Sequence, residues 1–138
     1  SEYLNKGSKL FISGSYIASD VQLSNVLNTN KMNFIKDKLK FVLASNHAVK
    51  NGTVVNISEN FLPKDYNFNF VTEMNDSIYN AEAPDALKPV NESKTLLRYK
   101  ENLYSAAVAY KGDYAIIAFG FPFETIKNER DRIKFLLW

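Results

Sequence analysis

Apolar positions are densest between Thr95 and Ile126, in TLLRYKENLYSAAVAYKGDYAIIAFGFPFETI. Tyr114 to Phe121 carries no charge and is apolar at both odd and even positions, the pattern of a strand covered on both faces. Ser105 to Lys111 puts Ala106, Val108 and Tyr110 on one face and the small Ala107 and Ala109 on the other, where another layer can approach closely. Gly112-Asp113 between these runs predicts a tight hairpin, with glycine at the first central position of a type II′ turn. Thr95 to Lys100 joins the same unit through the short Glu101–Tyr104 connection. Pro122 ends the ladder, because it has no amide hydrogen to donate. The whole stretch predicts an antiparallel meander.

Elsewhere the pattern changes period. Lys9 to Gly14 (KLFISG) predicts a short, buried, parallel strand. Asp20 is placed to cap a helical turn over Val21–Leu27. Behind the capping cluster Asn28-Thr29-Asn30, Met32, Ile35, Leu39, Val42 and Leu43 recur at helical spacing opposite Lys36, Asp37, Lys38 and Lys40. This predicts an amphipathic helix over Lys31–Leu43 with a solvated basic face. Asn51-Gly52 predicts a hairpin joining Asn46–Lys50 to Thr53–Ser58. Asn67 to Thr72 alternates like a half-exposed strand, and Tyr79 to Pro89, with two prolines, reads as a loop over the sheet. Asn128 and Asp131 resemble a capping box, followed by an apolar helical stripe of Ile133, Leu136 and Leu137. Glu2 to Gly7 reads as the end of a helix with Gly7 near its C-cap, so the chain is expected to be a piece of a larger protein.

Composition narrows the function classes. The chain has 138 residues, the size of one domain, and 46% of them are hydrophobic, enough for one core. Its net charge of +2 comes from scattered lysines and arginines, which gives no case for nucleic acid or a membrane surface. No apolar run reaches the roughly 20 residues of a membrane span. There is no cysteine, which excludes a disulfide framework, a thiolate metal site and a thiol nucleophile. The single histidine, His47, excludes a multi-histidine metal site. No cofactor or metal is expected.

Candidate chemistry is sparse. Ser13 and Ser15 follow the predicted parallel strand, at the end where α/β folds place ligands, and Asp20 lies near the same crevice. Turn formation is the simpler reading of the two serines, and helix capping that of Asp20. His47 is a candidate general base, or a turn histidine with an ordinary hydrogen bond. Glu82, Asp85 and Glu124 lie among apolar residues and prolines. Two carboxylates facing each other across about 5–9.5 Å would suit glycoside hydrolysis, while capping and backbone contacts are the structural alternative. Arg98, inside a strand, is expected to pair with one of these acids. Tyr66, Phe68, Phe70, Tyr79 and Tyr104 are either core or a stacking platform for sugars. Asn51, Asn56, Asn75 and Asn91 stand in Asn-x-Ser/Thr sequences, read as chance occurrences.

Three stretches together resemble a known family: LFISGSYIASDV (Leu10–Val21), YNAEAPDALKP (Tyr79–Pro89) and LLRYKENLYSAAVAYKGDYAIIAFGFPFETI (Leu96–Ile126). NHAVKNGTV (Asn46–Val54) fits the same pattern. They are similar to the C-terminal region of large secreted Bacteroidetes proteins that carry the names xanthan lyase or golvesin C-terminal-like domain. The resemblance implies a single domain over 1–138, an α/β three-layer sandwich like the class I glutamine amidotransferases (flavodoxin-type). Its sheet would be mixed, with a C-terminal antiparallel meander, and the front of the sheet would lie upstream. It further implies a secreted, periplasmic or cell-surface location. The partners implied are the parent chain's other domains and a polysaccharide. Active amidotransferases use a cysteine on a strand-to-helix elbow with a histidine partner. Here there is no cysteine, and Ser13-Gly14-Ser15 lacks the G-x-S-x-G spacing of a serine elbow. The expectation is therefore a non-catalytic accessory domain. The rival is a polysaccharide hydrolase or lyase working through Asp/Glu, Tyr and His47.

Overall fold

The computed structural model describes residues 3–23, 29–59, 62–74, 76 and 80–137. The chain is α/β, with a curled, mixed six-stranded sheet and few helices. In chain order the sheet uses β1 (Lys9–Ser13), β3 (Thr53–Asn56), β4 (Asn67–Asn69), β6 (Lys94–Tyr99), β7 (Ser105–Lys111) and β8 (Ala115–Phe119). Their spatial order is β1-β8-β7-β6-β3-β4, and β1 is parallel to β8 while every other pair is antiparallel. The predicted meander is therefore present as β6-β7-β8. A separate ribbon pairs β2 (Phe41–Ser45) with β5 (Ala86–Pro89).

Alternation along the central strands feeds two cores, one on each face. Ala107, Ile117 and Phe119 point into an aromatic core with Phe68, Phe70, Tyr99, Phe121 and Phe135. Val108, Ile116 and Ala118 point the other way, against Ile35, Leu39, Phe41 and Leu87. This explains why β7 and β8 are apolar at odd and even positions alike. The aromatic side is dense: Phe70 stacks on Phe121 with centroids 4.3 Å apart, and Phe135 meets Phe119 edge-on at 5.1 Å. Phe68 and Phe70, weighed as a sugar platform, are thus core. Tyr66 is half-buried, its hydroxyl donating to Asp131 Oδ1 at 2.9 Å, and that bond raises its pKa. Tyr104 is exposed, and Tyr79 lies outside the described residues.

Several expectations are corrected. β1 is parallel as predicted, but it is half-exposed at the sheet edge rather than buried. Residues 3–7 form bends and a turn rather than a helix end, although Gly7 does take the left-handed φ of +86°. The predicted helix over Lys31–Leu43 stops early. α2 (Thr29–Phe34) passes into one wider π turn (Ile35–Leu39), and Lys40 closes it at φ +69°. Val42 and Leu43 belong instead to β2, because pairing with β5 satisfies their backbone and suits a β-branched, apolar run. By the same pairing, Ala86–Pro89 is strand and not loop. Asn28 and Asn75 lie outside the described residues, as does the end of the helical turn predicted to reach Leu27.

Neither predicted hairpin turn has the expected form. Asn51-Gly52 joins no hairpin. Asn51 Oδ1 accepts from the Thr53 N–H at 3.0 Å, an Asx turn that opens β3, and β3 pairs with β4 and β6. Glycine is needed there because a Cβ would stand 2.1 Å from the Phe70 carbonyl oxygen. The β7–β8 hairpin exists, but with three residues between the paired Lys111 and Ala115, and Gly112 does not have the positive φ of a II′ turn. Its lack of a side chain makes room for Tyr110, whose hydroxyl lies 2.2 Å from where a Cβ would be.

At the C-terminus, Asn128 caps α3 (Glu129–Leu136) by accepting from the Arg130 N–H at 2.9 Å. Asp131 does not complete a capping box, since its carboxylate receives Tyr66. The buried helix positions are Asp131 and Phe135, whereas Ile133, Leu136 and Leu137 are exposed. Phe135 fills the aromatic core, and that sets the helix rotation.

Candidate functional site

The parallel pair β1/β8 ends where the chain turns through Ser13-Gly14-Ser15 into α1 (Ser19–Gln22). In α/β folds ligands bind beyond the carboxyl ends of such strands. Here that end is closed by one residue from elsewhere in the chain. Asp85, at the start of β5, is fully buried, and its Oδ2 accepts from the N–H groups of Ala18 (3.0 Å) and Ser19 (2.9 Å). The carboxylate thus caps α1 from 66 positions away. Asp20, predicted to be the cap, sits exposed inside the helix instead, and Ala18 holds the N-cap position without a side-chain bond.

Asp85 is a junction of four segments. Its N–H donates to Gly120 O at 2.7 Å, just beyond β8, and its carbonyl accepts from the Tyr99 hydroxyl of β6 at 2.7 Å. Gly14 N–H donates to Phe119 O, and Phe123 N–H donates to Ser13 Oγ at 3.1 Å. Burial raises the Asp85 pKa, opposed by the two helix amides and by the nearby Ser19 hydroxyl. That hydroxyl lies beside the carboxylate without hydrogen-bond geometry. Ser15 Oγ, Ser19 Oγ and Asp85 Oδ1 are all buried and lack a partner among the described residues. Burial likewise drives the Tyr99 hydroxyl well above its ordinary pKa, helped by the Asp85 charge. Tyr99→Phe removes the bond to the Asp85 carbonyl and is expected to cost about 1 kcal/mol, read as a lower urea midpoint with an unchanged slope.

The other candidates stand apart. His47 is exposed at φ +47° in the turn after β2, and the next residue, Ala48, donates to the Pro84 carbonyl at 2.8 Å. Glu124 is exposed in the single 3₁₀ turn Phe123–Thr125, and Glu82 is exposed as well. No hydrogen bond joins His47, Asp85 and Glu124 to one another among the described residues. The expected partner of Arg98 is not an acid: its guanidinium donates to the Leu103 carbonyl at 2.9 Å, because Asp85 is already committed to α1 and the half-exposed strand position lets the charge stay wet. Asn56 is fully buried, its amide donating to the Ser58, Leu62 and Pro63 carbonyls, so it is no sugar acceptor in the folded chain.

Sequence reasoning named Asp85, Ser13 and Ser15 but did not connect them, and it missed Ser19, Tyr99 and Gly120. Gly120 ahead of Phe-Pro-Phe was the available signal of a close backbone approach. Among the described residues there is no cluster of three or more His, Asp or Glu able to hold a metal, and no helix is long and apolar enough to cross a membrane. No protein-family model, curated protein or solved structure matches the chain.

Proposed function

We propose that this chain is a non-catalytic accessory module, built on an amidotransferase-like three-layer scaffold and belonging to a secreted bacterial protein that handles polysaccharide or the cell envelope. In this reading it works beside other domains of its parent chain. One observation carries the proposal: Asp85, the acid at the carboxyl end of the parallel pair, is fully buried and holds α1 through two main-chain hydrogen bonds. An acid catalyst must reach its substrate's leaving group, and this carboxylate offers no accessible surface. His47 and Glu124 sit exposed on separate turns, without the mutual geometry of a base and its orienting partner. A mere spacer has no use for a cleft, whereas two open clefts of about 540 and 700 Å³ favour a binding role.

The purified chain, incubated with neutral and acidic polysaccharides, is expected to release neither unsaturated ends nor reducing ends, while retaining glycans on an array. Turnover that disappears in folded His47→Ala or Glu124→Gln would establish the rival hydrolase or lyase.

A further inference from the structure

Among the sixteen asparagines of the chain, Asn51 alone is followed by glycine. Thr53 sets the geometry there. Its N–H and its hydroxyl both donate to Asn51 Oδ1, at 3.0 and 2.9 Å, and the hydroxyl also lies 2.8 Å from Asn69 Oδ1. A main-chain N–H can only donate, so the amide atom facing Thr53 is the oxygen, and Nδ2 is directed away from it. The Asx turn folds this side chain back over the Asn51–Gly52 peptide. Asn51 is exposed, and neither its Nδ2 nor the Gly52 N–H makes a hydrogen bond among the described residues. Phe70 packs against the buried Gly52 at its Cα and donates to its carbonyl at 2.7 Å, and neither contact occupies the nitrogen.

We propose that Asn51 is a self-modification site, at which the folded chain converts its own asparagine to aspartate and isoaspartate with Thr53 as oxyanion donor. Solvent base removes the Gly52 amide proton. The nitrogen attacks Asn51 Cγ, an N–C bond forms, and the carbonyl electron pair moves onto Oδ1. Two donors already stand within 3.0 Å of that oxygen, where the developing charge needs them. Collapse of the intermediate breaks the Cγ–Nδ2 bond. Nδ2 leaves as ammonia, taking its proton from water, and a cyclic imide remains. Water then opens either carbonyl of the imide, giving aspartate or isoaspartate. Nucleophile and carbonyl belong to adjacent residues, so the ring closes without loss of translational freedom, and glycine puts no side chain in its way. The reaction needs no ligand and is separate from the accessory role. It adds one negative charge to the cleft of about 540 Å³ that Asn51 lines with Lys50 and Glu101. Isoaspartate also lengthens the main chain by one carbon at the turn that opens β3.

The test is incubation of the whole folded chain at mildly alkaline pH, followed by peptide mapping with mass detection. The Asn51 peptide is expected to lose ammonia and then gain water, faster than any other asparagine peptide and faster as pH rises. Thr53→Val keeps a β-branched residue and the N–H but removes the hydroxyl. It is expected to slow the reaction about tenfold in the folded chain, less than for a fully buried oxyanion donor because Asn69 shares the hydroxyl. In urea, where the turn is lost, the same variant is expected to react at the wild-type rate, and Thr53→Ser is expected to restore the rate in the folded chain. An Asn51 peptide that stays intact while the chain is folded, a folded Thr53→Val as fast as wild type, or equal slowing in urea would overturn the proposal.

Discussion

Asp85→Ala is expected to destabilise the fold by about 2–4 kcal/mol, because the buried N–H groups of Ala18 and Ser19 lose their acceptor together. Urea unfolding reads this loss directly. Asp85→Asn separates capping from charge. Its carbonyl oxygen keeps both amides, and its NH₂ takes the place of the unpartnered Oδ1 near the Ser19 hydroxyl. Asparagine is therefore expected to retain most of the stability that alanine loses.

The pair also predicts a pH dependence. Burial raises the folded-state pKa of Asp85 above its ordinary value of 3.8, so the folded chain holds that proton more tightly than the unfolded chain. The resulting stabilisation is present in full below pH 3.8 and is lost as pH rises through the higher folded pKa. The difference in unfolding free energy between wild type and Asp85→Asn is expected to fall with rising pH over that window and then flatten. A flat difference from acid to neutral pH would show that the carboxylate ionises as freely inside the fold as outside it.

Gly120→Ala is the second large effect. A Cβ at this position would stand 2.0 Å from the Asp85 carbonyl oxygen, 3.0 Å from its carbon and 3.2 Å from the Tyr99 hydroxyl. The nearest obstacle is backbone, which cannot swing away like a side chain. Either the Asp85–Gly120 hydrogen bond parts or β8 shifts in the core, and the expected loss is about 3 kcal/mol or more, measured by chemical or thermal unfolding. Hydrogen exchange is expected to show the opening first at Asp85, Ala18 and Ser19, whose amides depend on this junction. A variant as stable as wild type would mean that the close approach of β8 and the Asp85 segment is not required.

The parts legible in the sequence are those in which local pattern and tertiary packing agree. The β6-β7-β8 meander was readable because a doubly covered strand must be apolar at every position, and Tyr114–Phe121 is. The cap at Asn128 was readable because it is made within two residues, whereas Lys9–Ser13 is parallel as expected without the burial from which that was inferred. Misreadings fall where one pattern serves two periods. Ile35, Leu39, Val42 and Leu43 keep helical spacing, yet the last two are strand because β5 supplies hydrogen bonds that a longer helix would forgo. Ile133, Leu136 and Leu137 keep it too, but the single large ring of Phe135 outweighs them in orienting α3.

By itself, the sequence determined the antiparallel C-terminal meander and the lack of a thiol in this chain, since these depend on residue type and short-range alternation. Only the tertiary structure decided what Asp85 does and why Gly52, Gly112 and Gly120 carry no side chain. These are meetings between segments far apart in the chain. Strand register and close backbone approach create them, and neither leaves a periodic trace in the residues that meet.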